Sequence, residues 1–407
     1  MTVADVCPVL SAETAVSTAE ELAVEFAAGA ADRDRRRELP YRQIDLVAAS
    51  GLLAMTVPAA FGGADLPPSV VADVVRILAA ADPNIAQIPH SHFVYLNLLR
   101  LAGAPEQLNR YFGEVLRGAR IANAQSERGG ATIADIGTTL RPTEGRFRID
   151  GVKYYCTGAL FADLLAVLTR LDDPGGVSGL PAGEYVAFLP ADTPGVRIAD
   201  DWDALGQRTT ASGTIAFDGV AVAPDQLVAR SAAVNAPTGY GAFAQLLHAA
   251  IDAGIARGAL NAAVAFVQER SRPWFEAQVT RAADDPLLIQ RIGELSVALG
   301  AAEAAVAVAG SAVDATMSGG AVVRPRTSAH ASIAVATAKV LADRAATDVS
   351  SALFEVCGTR SAAPEANLDH FWRNARTHTL HDPIRWKYQH IGRAVLHGTP
   401  PPLHGVI

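Results

Sequence analysis

The hydrophobic period of the chain changes twice along its length, and that pattern restricts the folds open to it. From residue 11 to about 118 the spacing is helical. Leu22 and Phe26 follow a capping box read at Ser17 and Glu20, Ile44 and Val47 lie between Pro40 and Gly51, and further runs cover 72–80 and 105–117. Between about 121 and 230 the period falls to two. Phe147, Ile149, Val152 and Tyr154 alternate around Asp150-Gly151, a dipeptide suited to a tight hairpin turn, and LLAVLTRL, EYVAFLP and TIAFDGVAV are further short strands. They are too many and too short for a parallel α/β sheet. After Asn235 the helical period returns. Leu288, Ile292, Leu295, Leu299, Ala302, Val306, Ala309 and Val313 step by three and four, the seam of a bundle helix, and a further helix over 328–356 stops at Gly358. The predicted class is α+β and mostly helical: an N-terminal all-helical domain over 1–120, a β-barrel over 121–232 and a C-terminal helical bundle over 233–407.

Half of the 407 residues are hydrophobic, so burial can offset chain entropy. The net charge of −8 argues against nucleic-acid or anionic-membrane partners, which need clustered Lys and Arg. The short basic run Arg33 to Arg37, broken by Asp34, reads as a solvated helix end. No apolar stretch is read as reaching the roughly 18 residues of a bilayer span, and the start MTVADVCPVLSAET lacks a basic region before an apolar core, so a cytoplasmic protein is expected. Cys7, Cys156 and Cys357 are odd in number and far apart, which suggests neither disulfides nor zinc.

The stretch WRNARTHTLHDP places His378 and His381 three residues apart beside Arg373, Arg376 and Asp382. A metal site, a general acid/base site and a polar helix end all suit such a cluster; helical zinc pairs usually sit at i, i+4, and no metal is expected. In ANAQSERGG, Asn123, Gln125 and Ser126 can hydrogen-bond a ligand's polar edge, and Gly129-Gly130 permits close backbone approach; a linker would have similar composition. Tyr155 and Thr157 in KYYCTGALFAD and Trp202 in DWDALGQRTTASG offer aromatic faces and a hydroxyl, or ordinary core and loop anchors. Arg270 and Arg272, and Arg360 beside Gly358, can grip a phosphate or form surface ion pairs. GxGxxG, GxxxxGK[ST] and GxSxG motifs are absent.

The domain order and the segments RNARTHTLHDP, ANAQSERGG, YYCTGALFAD and WDALGQRTTASG resemble the acyl-CoA dehydrogenase superfamily over about residues 15–396, and within it the flavin-dependent monooxygenase branch. The resemblance implies a C-terminal four-helix bundle and a homotetramer. It implies reduced FMN, in preference to FAD, supplied by a separate NAD(P)H:flavin reductase, and O2 activated as a C4a-hydroperoxide to oxidise a sulfur or nitrogen atom of a small apolar molecule. Asn123, Ser126 and Thr157 are then assigned to the flavin ring, Tyr155 to the aromatic against it, and Arg272, Gly358 and Arg360 to the flavin phosphate, with Arg360 serving a neighbouring subunit. His381 and His378 become proton donors or orienting groups, joined by His92, Tyr95 and Asn123, with Trp202 and Tyr95 against the substrate. Where dehydrogenases of this fold carry a catalytic glutamate, this chain has Asp382 followed by Pro383; an FAD-linked dehydrogenase using Asp382 as base is the enzymatic alternative, and a non-catalytic scaffold of the same fold the other.

Overall fold

The structure is a computed structural model that describes residues 6–317 and 324–407. The first five residues of the acidic start lie outside the described residues. The chain begins with the helices α1 (Ala12–Arg36), α2 (Tyr41–Ala49), α3 (Pro68–Ala81), α4 (Pro83–Gln87), α5 (His90–Ala102) and α6 (Pro105–Leu116). Helix α1 starts a turn and a half before the expected cap. Ser11 and Thr14 form the capping box, whereas Ser17 lies inside the helix and its hydroxyl bonds the Thr14 carbonyl. The basic run at its end is not a solvated face: Arg33 is buried against Asp82 at 2.8 Å, and Asp34 is buried against Arg373 at 2.5 Å. Both partners lie far away in sequence, which local charge patterning does not reveal.

Strands β1 (Ile121–Ala124), β2 (Thr139–Thr143), β3 (Arg146–Lys153), β4 (Leu164–Leu171), β5 (Glu184–Pro190), β6 (Val196–Ile198), β7 (Ile215–Val222) and β8 (Leu227–Ala229) form one mixed sheet. Its order is β6-β7-β3-β2-β4-β5-β8, with β1 also on β4; β1 and β2 run parallel to β4 and the other pairs are antiparallel. Asp150-Gly151 is not the hairpin turn. The strand continues through it, with a register shift against β7 between Ile149 and Gly151, and the β2–β3 turn falls at Glu144-Gly145, where Gly145 has φ 69°. Alternating hydrophobicity persists across a bulge, so the pattern alone does not separate the two.

The chain then returns to helices: α7 (Arg230–Val234), α8 (Tyr240–Glu269), α9 (Pro286–Met317), α10 (Pro325–Cys357), α11 (Asp369–His378) and α12 (Ile384–His397). The seam residues Leu295, Leu299, Ala302, Val306, Ala309 and Val313 are buried against α8 and α10. Helix α8 is the core of the molecule. At Gly254 and Gly258 it meets the backbone of α3 so closely that a Cβ would collide with the carbonyl oxygens of Arg76 and Ala80. By length and composition α8 and α9 would each span a bilayer, which corrects the earlier reading of the apolar stretches; 72% of the apolar window of α8 is buried inside the protein, so its hydropathy reflects core position.

Candidate active site

Steps of four residues set the site. On α8, His248 and Asp252 share one face; on α10, Lys339 and Asp343 do; on α11, Asn374 and His378 do. These faces converge where α4, α5, the α11–α12 turn and α12 bring Gln87, His90, His381, Asp382 and Lys387. His378 Nδ1 lies 2.5 Å from Asp252, whose other oxygen accepts from Lys339 Nζ at 2.7 Å. All three side chains are fully buried. Burial alone would raise the Asp252 pKa, but the Lys339 charge and His378 hold it at about 2. It is a carboxylate, so His378 carries its proton on Nδ1.

The remaining rings follow from their partners. His90 Nε2–H donates to the Ala244 carbonyl at 3.0 Å and His381 Nδ1–H to the His378 carbonyl at 2.7 Å, because a carbonyl can only accept. His381 Nε2 is therefore a lone pair, and the Gln87 amide donates to it at 2.9 Å. His248 Nδ1 lies 3.1 Å from His378 Nε2, and the His248 ring stacks on His90 with centroids 3.9 Å apart. Burial pushes His90 down to about 4, and burial with the neighbouring His378 pushes His381 down to about 3. His381 nevertheless retains an exposed surface. His90 and His381 are neutral at working pH, and each commits its one N–H to a backbone carbonyl.

A metal would use His248, His378 and His381, whose nitrogens lie within 4.8 Å of one another. His248 and His378 already share a hydrogen bond, His378 Nδ1 is taken by Asp252 and His381 Nδ1 by a carbonyl, and burial, followed by the neighbouring histidine and Lys339 charges, depresses His248 and His381. A second cation is disfavoured there for the same reason. Asp382 is buried and lies 2.9 Å from Lys387 Nζ, which also donates to Gln245 at 3.0 Å and to the Val406 carbonyl at 2.6 Å. Its carboxylate is paired with that ammonium by charge, although neither oxygen accepts a hydrogen bond.

Several anticipated residues sit elsewhere. His92 is buried away from the cluster: its Nε2–H donates to the Leu53 carbonyl at 2.9 Å and its Nδ1 accepts from the Ile121 N–H at 3.1 Å, so it pins α5 to β1. His90, two residues earlier and on another side of α5, occupies the place expected of it. The Tyr95 hydroxyl donates to Gln125 at 3.1 Å, not to the cluster. Asn123 Oδ1 is buried without a partner, as are the Gln207 amide and the Thr209 hydroxyl, while Thr157 bonds Ser212 at 2.8 Å. The backbone of Ser126 pairs with Tyr154. Tyr155 and Trp202 meet edge to face at 6.0 Å, with Arg128 over the Tyr155 ring, and Gln207 N–H bonds Asn374 at 2.7 Å, which ties this loop to α11.

Arg272, Gly358 and Arg360 gather at the opposite end of the bundle, where Arg360 donates to the Arg270 carbonyl at 2.9 Å. From His248 to Arg270 the axis of α8 runs about 33 Å at 1.5 Å per residue, so these arginines cannot reach a group held at the histidine cluster of the same chain. Asp252, Lys339, His90, His248, Gln87 and Lys387 were missed from sequence. The available signal was the i, i+4 His-Asp and Lys-Asp spacing inside Ala-rich helices.

Models of the acyl-CoA dehydrogenase N-terminal, middle and C-terminal domains match residues 12–119, 122–220 and 246–386. The chain is 34% identical over 397 residues to a dibenzothiophene monooxygenase of Rhodococcus erythropolis, covering 95% of this chain and 94% of that one. It is 31% identical to a probable FMNH2-dependent monooxygenase of Pseudomonas putida, covering 95% and 96%. The crystal structure of a dibenzothiophene monooxygenase from a Paenibacillus species with FMN and indole superposes with a TM-score of 0.91 at 31% identity, covering 97% of this chain and 99% of that one.

Proposed function

The chain belongs to the acyl-CoA dehydrogenase family, in its flavin-dependent monooxygenase branch, and from that premise we propose a two-component enzyme that uses reduced FMN and O2 to oxidise a sulfur atom of a small apolar substrate. Nitrogen oxidation is the neighbouring chemistry. Reduced FMN, delivered by a separate NAD(P)H:flavin reductase, supplies when bound the two electrons with which one oxygen atom enters the substrate and the other leaves as water. The observation that carries this reading is the state of the acids in the cluster: Asp252 is tied to Lys339 and His378, and Asp382 to Lys387. A dehydrogenase needs a free carboxylate at the substrate α-carbon. This cluster offers imidazoles instead, those of His90 and His381 held neutral.

The buried polar atoms left without partners, Asn123 Oδ1, the Gln207 amide and the Thr209 hydroxyl, fit the donors and acceptors of a flavin ring edge, and Thr157 and Ser126 are assigned to the same ring. Tyr155 and Trp202 supply an aromatic wall, Trp202 and Tyr95 the substrate side, and His381 with His378 the polar end. Arg272 and Arg360, with Gly358 at φ 72°, would hold a phosphate belonging to a neighbouring subunit, given their distance from the cluster. Exposed Leu287, Ile289, Val297 and Val308 on α9 supply apolar surface for such packing, and a homotetramer fits both features. The test is an incubation with reductase-generated reduced FMN, O2 and dibenzothiophene, followed by mass spectrometry for the sulfoxide or sulfone. Oxygenated product supports the proposal. Bleaching of bound FAD by an acyl-CoA without oxygenated product would replace it with a dehydrogenase, and neither signal would leave a scaffold.

A further inference from the structure

We propose that Asp252 and Lys339 are a positioning pair that fixes the tautomer of His378 and makes His378 and His248 a two-ring proton relay for the oxygenation site. The inference rests on the function proposed above. Of the four clustered rings, His90 and His381 each commit their one N–H to a backbone carbonyl. Only His248 and His378 share a proton with each other, at 3.1 Å. In the neutral His378 ring, with Asp252 accepting its Nδ1 proton, Nε2 is the lone pair that accepts Nδ1–H of His248. His248 Nε2 then has no protein partner among the described residues.

The transfer balances with a single proton. A proton taken up at Nε2 of His248 is matched by passage of its Nδ1 proton to Nε2 of His378, so the charge comes to rest beside the Asp252 carboxylate. The reverse steps return the proton to His248 and the site. No bond other than N–H forms or breaks. Lys339 lies 2.7 Å from the second Asp252 oxygen and 3.8 Å from Asp343, which keeps Asp252 ionised and its oxygen aimed at His378. A buried ion pair in an Ala-rich helical core adds little to stability compared with an apolar pair, so its place against a histidine points to orientation.

The variants are Asp252→Asn and the charge-free double variant Asp252→Asn with Lys339→Met, each checked for folding by circular dichroism. In unliganded wild type, 15N-histidine NMR should show His378 protonated at Nδ1 with a far-downfield proton, assigned by its loss in His378→Gln and absent from both variants. With reduced FMN, FMN affinity should hold within about threefold, while product per O2 consumed falls at least about tenfold and hydrogen peroxide makes up the difference. Wild-type His378 protonated at Nε2 with a bare Nδ1, or unchanged product yield in a folded double variant, overturns the proposal. If wild type oxygenates nothing, the function above is what falls, and the NMR result decides the pair by itself.

Discussion

The Gln87 amide donates to Nε2 of His381 at 2.9 Å while Nδ1–H of the same ring donates to the His378 carbonyl at 2.7 Å, so both nitrogens of His381 are fixed by protein groups. Such a ring orients; it does not exchange freely. His381→Ala should leave FMN affinity within about threefold yet raise the share of O2 lost as hydrogen peroxide by about tenfold, and Gln87→Leu should do the same more weakly. FMN fluorescence titration and peroxide assay measure the two quantities. Unchanged coupling in His381→Ala removes the residue from the mechanism.

His92 and His90 behave oppositely although they are two residues apart. His92 joins the Leu53 carbonyl to the Ile121 N–H inside the core, and its loss in His92→Ala should cost about 2–4 kcal/mol in urea unfolding, since two buried backbone groups lose their partner. Coupling of oxygen use to product should stay at the wild-type value. Stability unchanged with coupling lost would reverse the assignment.

Acid should destabilise the fold over a defined window. Burial holds His90 and His92 at about 4, whereas the unfolded chain binds these protons near 6.5. The unfolded state therefore carries more protons between those values, and stability is present above pH 6.5, declines as pH falls toward 4, and levels off below. Two protons give a slope of up to about 2.7 kcal/mol per pH unit from these rings. Urea titrations from pH 7 to 4 measure it, and His92→Gln should lower the slope by up to about 1.4 kcal/mol per pH unit. A flat profile contradicts the buried neutral rings.

Asp382 separates the two flavin chemistries. Asp382→Asn leaves Lys387 as a buried charge without its counterion, which should cost about 3–5 kcal/mol of stability. The double variant with Lys387→Met should recover most of that loss. Neither wild type nor variant should reduce bound flavin with an acyl-CoA. Acyl-CoA reduction by wild type that disappears in Asp382→Asn would make Asp382 a base.

The alternation of helical and strand periods was enough to read the helix–sheet–helix order, because core faces repeat at 3.6 or 2 wherever one side is buried. The Leu295–Val313 seam is an example, buried where its spacing indicated. Asp150-Gly151 misled because a bulge keeps the alternation of a turn's flanks. Arg33 misled because its partner Asp82 lies 49 residues away and gives no local sign. The same limit hid the site. His378 and His381 stand out as polar groups on a short helix, but Asp252 and Lys339, 87 residues apart, become partners only once α8 and α10 pack. Nor does sequence decide between His90 and His92, which point to different sides of α5.

The central claim is tested most directly by oxygen-isotope labelling. Reduced FMN is generated by an added flavin reductase under 18O2 with dibenzothiophene, and the products are weighed by mass spectrometry beside a peroxide assay. The account predicts one 18O atom per oxygenation at sulfur, with hydrogen peroxide a minor fate of the O2 consumed. Unlabelled product, or complete conversion of O2 to hydrogen peroxide with the substrate untouched, would contradict it.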